Sequence, residues 1–174
     1  APGLIETEMG AMIGPAVSLM VDYNQSLDPA EACRRIARLA EFDPCWVEEP
    51  VKAEDLEGHA RVRAASSVPV QTGENWWFPR GMANSIAVGA SDFAMLDIMK
   101  IGGVTGWLDA MGQAQAASLP ISSHIFVEAS AHVLPVTPTC HWLEHLDLAS
   151  SLLTDPCQVV DGAVSAKGPG IGLT

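Results

Sequence analysis

The sequence predicts an α/β fold built from about six parallel strand–helix units, as in part of a (β/α)8 barrel. An acidic residue ends each of three apolar, strand-like runs, with 26 residues from one to the next: Asp22, Glu48 and Glu74. Polar residues also end the next three such runs: Asp97, His124 and Glu144. Because the carboxyl ends of parallel barrel strands form one face, where catalytic groups lie, we expect these six side chains to share that face.

The first helix carries clear boundary signals. Asp28 can cap it, with Pro29 at the first helical position and Glu31 three residues after the cap. Its apolar stripe is expected to comprise four residues: Cys33, Ile36, Ala37 and Ala40. The helix is predicted to end near Asp43 and Pro44.

The remaining elements follow the same alternation. Strands are predicted at 18–23, 45–49, 68–72, 92–98, 120–124 and 141–145. Further helices are predicted at 55–66, 80–89, 105–117 and 128–134. Gly102 and Gly103 predict a turn into a helix, and they lack the Gly-x-Gly-x-x-Gly spacing of a dinucleotide-binding loop.

Composition narrows the class of protein. A chain of 174 residues that is 48% hydrophobic can bury a core and is expected to form one domain. Its formal net charge of -12 disfavours nucleic acid and anionic membranes as partners. No apolar run approaches the about 18 residues of a membrane span. The four cysteines form no Cys-x-x-Cys pair, which predicts reduced thiols and a cytoplasmic location.

The three evenly spaced carboxylates point to a metal. Anions brought together repel one another unless a cation lies between them, and oxygen-only ligands suit Mg2+. Glu49 adjoins Glu48, but neighbouring strand residues point to opposite faces, so the regular spacing selects Glu48. Zinc is disfavoured at His141 and His145, because an extended chain at about 3.3 Å per residue places them roughly 13 Å apart.

Seven stretches carry a resemblance to a known family: MVDYNQSLD (20–28), WVEEP (46–50), GHARV (58–62), VPVQTGENW (68–76), MKIGGVTGW (99–107), SSHIF (122–126) and TPTCHWLEHLDLA (137–149). They resemble the mandelate racemase and muconate lactonizing enzyme family of the enolase superfamily, and its mandelate racemase branch most closely. The resemblance runs from about residue 11 to residue 174.

The resemblance implies roles for the six strand-end residues. It implies three ligands of one Mg2+ ion: Asp22, Glu48 and Glu74. It also implies His124 as a general base paired with Asp97. Glu144 would be a neutral acid that donates a hydrogen bond to the substrate carboxylate. The apolar neighbours expected to keep Glu144 protonated are Trp142, Leu143 and Leu146.

Three further side chains are expected to contact the substrate: Asn24, Lys100 and Trp76. Lys100 would bring positive charge to the mouth of the barrel, although a solvated lysine fits the sequence equally well. Trp76, with Trp77 and Phe78, would wall an apolar pocket or pack against neighbouring loops.

The activity implied by the resemblance is removal of a proton α to a carboxylate, through an enediolate. Racemisation of a 2-hydroxy acid is the first expectation, and dehydration of a sugar acid is the alternative. Either way the substrate is a small carboxylate, and the complete parent protein is expected to form a homo-oligomer. A different class is a non-catalytic metal-binding fragment that needs a complementing chain.

The family pattern also has parts that this sequence does not match. It places two earlier strands, and an α+β capping domain before them, upstream of residue 1. It also contains a Lys-x-Lys motif that supplies an opposing base, whereas the lysines at 52, 100 and 167 form no such motif. We therefore expect an unassigned segment at 1–10, a portion of a TIM-type barrel at 11–150 and a shortened tail at 151–174. The chain alone is expected to be inactive.

Overall fold

The computed structural model describes residues 16–166, 168, 170 and 171. The first six strands in the described chain are β1 Met20–Asp22, β2 Trp46–Glu48, β3 Val70–Thr72, β4 Phe93–Asp97, β5 Ile121–His124 and β6 Cys140–Leu143. The α-helices are α1 Pro29–Leu39, α2 Leu56–Ala65, α3 Phe78–Val88, α4 Gly103–Ala117 and α5 Val127–Val133. The unassigned segment predicted at 1–10 lies outside the described residues.

Each predicted strand and helix overlaps an observed one, so the predicted α/β class is confirmed. The alternation of parallel strands with helices is that of a partial (β/α)8 barrel. Two short strands, β7 Val159–Val160 and β8 Ala163–Val164, pair antiparallel and were not predicted. Asp161 and Gly162 join them with positive φ angles of 52° and 75°, as two-residue hairpins require. Within the described residues, no helix is both long and apolar enough to cross a membrane.

The chain divides into two compact units, of which the first comprises the residues up to Thr72 together with Asn84–Phe93. Its strands β1, β2 and β3 pair in parallel, with Asp22 opposite Glu48 and Glu48 opposite Gln71. Its core consists of apolar side chains from α1, α2 and these strands, including Ile36, Leu39, Val47, Val62 and Val70. The register therefore brings the last residues of β1 and β2 side by side.

Helix α1 begins as its sequence predicts. The carboxylate of Asp28 accepts the backbone N–H groups of Ala30 and Glu31, both at 2.9 Å. The predicted stripe is wrong at one position, because Ala37 is exposed. The residues of α1 that are fully buried are Ala32, Ile36 and Leu39. Their spacing of four and three residues places them on one face, whereas Ala37 follows Ile36 by about 100° of helical rotation.

The second unit comprises Gly73–Ala83 and the residues from Ala94 onward. Its strands β4, β5 and β6 pair in parallel, with Asp97 opposite His124. The predicted turn at Gly102 and Gly103 is present, with φ angles of 103° and 69° that favour glycine. Helix α4 then packs through Trp107, whose Nε1 donates to Thr137 Oγ1 at 2.9 Å in the interior of this unit.

Candidate active site

A histidine and an aspartate meet at the carboxyl ends of β4 and β5. His124 Nδ1 lies 2.8 Å from Asp97 Oδ2, as a ring N–H donating to a carboxylate does. The other oxygen of Asp97 accepts the backbone N–H groups of Met99 at 2.8 Å and Lys100 at 3.0 Å. Asp97 is buried, so these bonds hold the carboxylate in one orientation. The structure thus brings together the two residues that the sequence predicts as a pair.

Glu74 lies on the other side of the same ring. Its Oε2 is 3.3 Å from His124 Nε2, and its Oε1 accepts a hydrogen bond of 3.0 Å from Asn75 Nδ2. A neutral imidazole that donates from Nδ1 can only accept at Nε2, whereas the cationic ring donates from both nitrogens. The ring of His124 thus lies between two carboxylates, with an acceptor oxygen facing each of its nitrogens.

Asp22 and Glu48 receive neutral N–H donors in the first unit. Asn24 donates its backbone N–H to Asp22 Oδ1 at 2.7 Å and its side-chain Nδ2 to Asp22 Oδ2 at 2.6 Å. Glu48 is only 6% exposed. Its Oε2 accepts Trp46 Nε1 at 3.3 Å and Gln71 Nε2 at 3.1 Å. Both donors approach the same carboxylate oxygen, Oε2. They therefore restrict the orientation of the carboxylate group and the direction of its second oxygen, Oε1.

Glu144 follows β6 and contacts the loop after β5. Its Oε2 accepts the backbone N–H of Ile125 at 2.8 Å. The expected apolar surroundings are wrong for two neighbours, since Trp142 is 45% exposed and Leu146 is 54% exposed. The reason is the strand alternation of β6, which turns Trp142 outward, and the end of the strand before Leu146. The contact that holds Glu144 is therefore the backbone N–H of Ile125, and Trp142 and Leu146 do not enclose it in an apolar pocket.

The aromatic residues after Glu74 divide into two roles. Trp76 is 5% exposed and packs against Gly81, where an added Cβ would lie 2.9 Å from Trp76 Cβ. This favours the packing interpretation of Trp76 over its predicted contact with substrate. Trp77 is 65% exposed, and its ring lies 6.4 Å from that of Phe78, which is 60% exposed. These two residues form the open aromatic surface of this segment.

The predicted metal ligands fit a hard cation by ligand type. Asp22, Glu48 and Glu74 offer carboxylate oxygens, and the N–H donors around each leave its charge in place. Within the described residues, no group of three or more His, Cys, Asp or Glu side chains is arranged so that it could hold a metal ion. The three-carboxylate site remains a prediction.

Sequence reasoning missed the residues that orient these carboxylates. Trp46, Gln71 and Asn75 each donate to a predicted metal ligand. All three lie within two residues of a strand-end carboxylate or on the neighbouring strand. Their position beside the acidic residues was the available signal, but the direction of a side chain cannot be read from it.

The fold and the strand-end residues define the class: parallel strand–helix units of a (β/α)8 barrel with acidic residues and a His–Asp pair at the carboxyl ends. A family model described as enolase C-terminal domain-like matches residues 7–174. The chain therefore belongs to this family, which confirms the resemblance to the enolase superfamily. The finer resemblance to the mandelate racemase branch stays a prediction.

Two curated relatives illustrate the chemistry found in the family. L-talarate/galactarate dehydratase of Salmonella typhimurium is 32% identical over 169 residues, which are 97% of this chain and 42% of that protein. D-galactarolactone cycloisomerase of Agrobacterium fabrum is 31% identical over 179 residues, which cover 92% of this chain and 47% of that protein. The chain thus spans less than half the length of these relatives.

Two solved structures are similar to this chain in both sequence and fold. An enolase from Bradyrhizobium, complexed with magnesium and mandelic acid, is 64% identical with a TM-score of 0.95, over 97% of this chain and 47% of that one. The structure of the Salmonella typhimurium L-talarate/galactarate dehydratase is 32% identical with a TM-score of 0.92, over 97% of this chain and 43% of that one.

Proposed function

We propose that the protein containing this chain is a Mg2+-dependent enzyme that removes the proton α to a carboxylate and dehydrates a sugar acid. The observation that carries this proposal is the placement of His124 between Asp97 and Glu74 at the carboxyl ends of the strands. The dehydratase and cycloisomerase relatives support sugar acids as the substrate class. They favour dehydration over the racemisation that the sequence motifs first suggested.

In this proposal Asp22, Glu48 and Glu74 hold the metal. Similar solved structures contain magnesium, which supports the choice of ion. When bound, Mg2+ withdraws charge from the substrate carboxylate and so lowers the cost of removing the neighbouring proton. Trp46 and Gln71 hold Glu48 through one oxygen and so fix the direction of the other.

The proton moves through His124. Its Nε2 takes the α-proton, while the Nδ1 hydrogen bond to Asp97 keeps the ring in the required tautomer and stabilises the resulting cation. In this proposal Glu144, whose Oε2 accepts the Ile125 N–H, acts in its protonated form and donates from Oε1 to the substrate carboxylate. Such a donor stabilises the charge that develops in the transition state.

Dehydration follows from the enediolate that removal of the α-proton leaves. The electron pair left by the α-proton forms a double bond to the β-carbon as the β-hydroxyl departs. His124 returns its proton to that hydroxyl, so one water leaves and an enol remains. The enol rearranges to a 2-keto-3-deoxy acid, which is a stable and measurable product.

Racemisation of an aryl 2-hydroxy acid is the second candidate. The exposed Trp77 and Phe78 offer an aromatic surface, and the Bradyrhizobium enolase was complexed with mandelic acid. Racemisation needs a second base on the opposite face of the α-carbon.

A substrate panel separates the two reactions. The full-length protein with Mg2+ is incubated with mono- and dicarboxylic sugar acids and with each enantiomer of mandelate. We expect a 2-keto-3-deoxy acid, detected as its semicarbazone, from at least one sugar acid. Circular dichroism reports inversion of mandelate. Inversion of mandelate without any keto product would favour racemisation over dehydration. If neither a keto product nor inverted mandelate forms, both proposed reactions are contradicted.

Metal binding is tested separately by titration calorimetry. Glu48→Gln removes a predicted ligand charge, so we expect Mg2+ to bind at least about 100-fold more weakly, more than the loss of an outer partner costs. Glu49→Gln is the matched control, because the regular spacing selects Glu48. Equal Mg2+ affinity in the wild type and Glu48→Gln, or a larger loss in Glu49→Gln, would contradict the ligand assignment.

A further inference from the structure

A chain of side-chain hydrogen bonds joins Lys100 to Glu74. Lys100 Nζ donates to Asn75 Oδ1 at 2.9 Å, and Asn75 Nδ2 donates to Glu74 Oε1 at 3.0 Å. The ammonium can only donate and an ionised carboxylate can only accept, so the amide between them has one orientation that satisfies both. The positive charge also polarises the amide, which strengthens its donation to Glu74.

The backbone of Lys100 holds a second carboxylate. Its N–H donates to Asp97 Oδ1 at 3.0 Å, and the opposite oxygen of Asp97 is 2.8 Å from His124 Nδ1. His124 Nε2 in turn lies 3.3 Å from Glu74 Oε2. These contacts therefore form a closed circuit of five residues, which runs from Lys100 through Asn75, Glu74, His124 and Asp97 and returns to Lys100.

The position of Lys100 is itself fixed by the segment that follows Glu74. The backbone N–H of Phe78 donates to the Lys100 carbonyl at 3.0 Å. Lys100 is partly buried, and its side chain extends toward Asn75, to which it donates a hydrogen bond. Lys100 thus bonds Asp97 through its backbone N–H and is linked to Glu74 through the side chain of Asn75.

We propose that Lys100 is a positioning residue that fixes Glu74 and His124 relative to each other. This inference rests on the proposed function, in which Glu74 is a metal ligand and His124 is the base. This positioning role differs from the sequence prediction, in which the Lys100 side chain contacts the substrate. Because the circuit of contacts includes both Glu74 and His124, loss of the Lys100 side chain should affect both the metal ligand and the base.

The test uses the full-length protein and a Mg2+ titration without substrate. Lys100→Met removes the donor and keeps the chain length, and we expect Mg2+ to bind about 10- to 100-fold more weakly, as the loss of an outer-shell partner typically costs. Asn75→Ala should lose as much, and the double variant should lose no more than either single one. Lys100→Arg keeps a charged donor and should retain most of the affinity. The matched control is Lys52→Met, at an exposed position.

Other outcomes decide against the inference. Unchanged Mg2+ affinity in Lys100→Met, together with a raised KM and intact kcat, would show direct substrate binding and overturn it. Additive losses in the double variant would also overturn it, because Lys100 would then act independently of Asn75. If Lys100→Met does not fold, Asn75→Ala decides the result.

A second readout separates this inference from the proposed function. If the wild-type protein binds no Mg2+, the proposed function fails, and the ring-nitrogen NMR signals of His124 at one fixed pH then decide the inference. We expect these signals to shift in Lys100→Met and Asn75→Ala and to stay in place in Lys52→Met. Unshifted signals in the first two variants would overturn the positioning role.

Discussion

The ring of His124 lies between two carboxylates, and this placement determines the chemistry available to the site. Asp97 contacts one nitrogen at 2.8 Å and Glu74 faces the other at 3.3 Å. The buried, backbone-bonded Asp97 keeps the imidazole oriented, as a base that takes its proton at the other nitrogen requires.

Asp97→Asn tests the orientation of this ring. The amide keeps the shape of the side chain but removes the charge, and its NH2 group can favour the wrong imidazole tautomer. We expect kcat to fall by about three to four orders of magnitude, as in other His–carboxylate pairs. Mg2+ affinity, measured alongside, should change little because Asp97 is not a predicted ligand. A kcat close to that of the wild type would show that Asp97 does not orient His124.

A second histidine links stability to pH. His59 is buried, its Nδ1 lies 3.1 Å from the Asp55 carbonyl, and burial lowers its pKa from the ordinary 6.5. The unfolded chain therefore binds this proton more readily, so the free energy of unfolding falls as pH drops below about 6.5 and continues to fall toward the lower native pKa. His141, whose pKa burial also lowers, acts in the same direction.

Urea unfolding at a series of pH values between 7.5 and 5 measures this linkage. The wild type should lose stability across the series, and His59→Gln should show a smaller slope because one titrating group is gone. An identical slope in the two proteins would assign the pH dependence to other groups.

At the scale of elements, strand ends were more predictable than side-chain contacts. Neighbouring parallel strands place their last residues side by side, and the family resemblance implied the pairing of Asp97 with His124 that the register shows. The bond between Lys100 and Asn75 did not, because it depends on the paths of two loops. The buried stripe of α1 was shifted for a similar reason, since the packing of its neighbours decides which side of the helix is covered.

Helix α1 offers a test of local structure. Asp28→Ala removes the acceptor of two backbone N–H groups, and we expect the free energy of unfolding to fall by about 1 kcal/mol. Denaturant unfolding measures the change. Glu41→Ala, at an exposed position just beyond the helix, is the control and should stay within about 0.5 kcal/mol of the wild type. Equal stability of Asp28→Ala and the control would show that the cap contributes nothing.

At the scale of the whole molecule, the chain spans less than half the length of its curated relatives. The second unit exposes a group of large apolar side chains near its C-terminal end: Leu146, Leu148, Leu152, Val159 and Val160. Exposed apolar groups of this kind commonly mark contacts with other polypeptide. These exposed side chains bear on the alternative in which the chain needs a complementing polypeptide.

Through these exposed apolar side chains, the isolated 174-residue chain is expected to self-associate. Light scattering of the mass-verified chain measures this property. The full-length protein under the same buffer is the control. A monodisperse monomer of 18.4 kDa would contradict this expectation.

The central claim is that His124 removes a proton α to a carboxylate, and proton NMR in D2O tests it most directly. The full-length protein, Mg2+ and an accepted sugar acid are compared with the same mixture containing His124→Asn, whose Mg2+ affinity is checked by calorimetry. We predict that the α-proton signal of the acid disappears with the wild type and persists with His124→Asn, while both proteins bind Mg2+. Loss of the signal at the wild-type rate in His124→Asn would contradict the account.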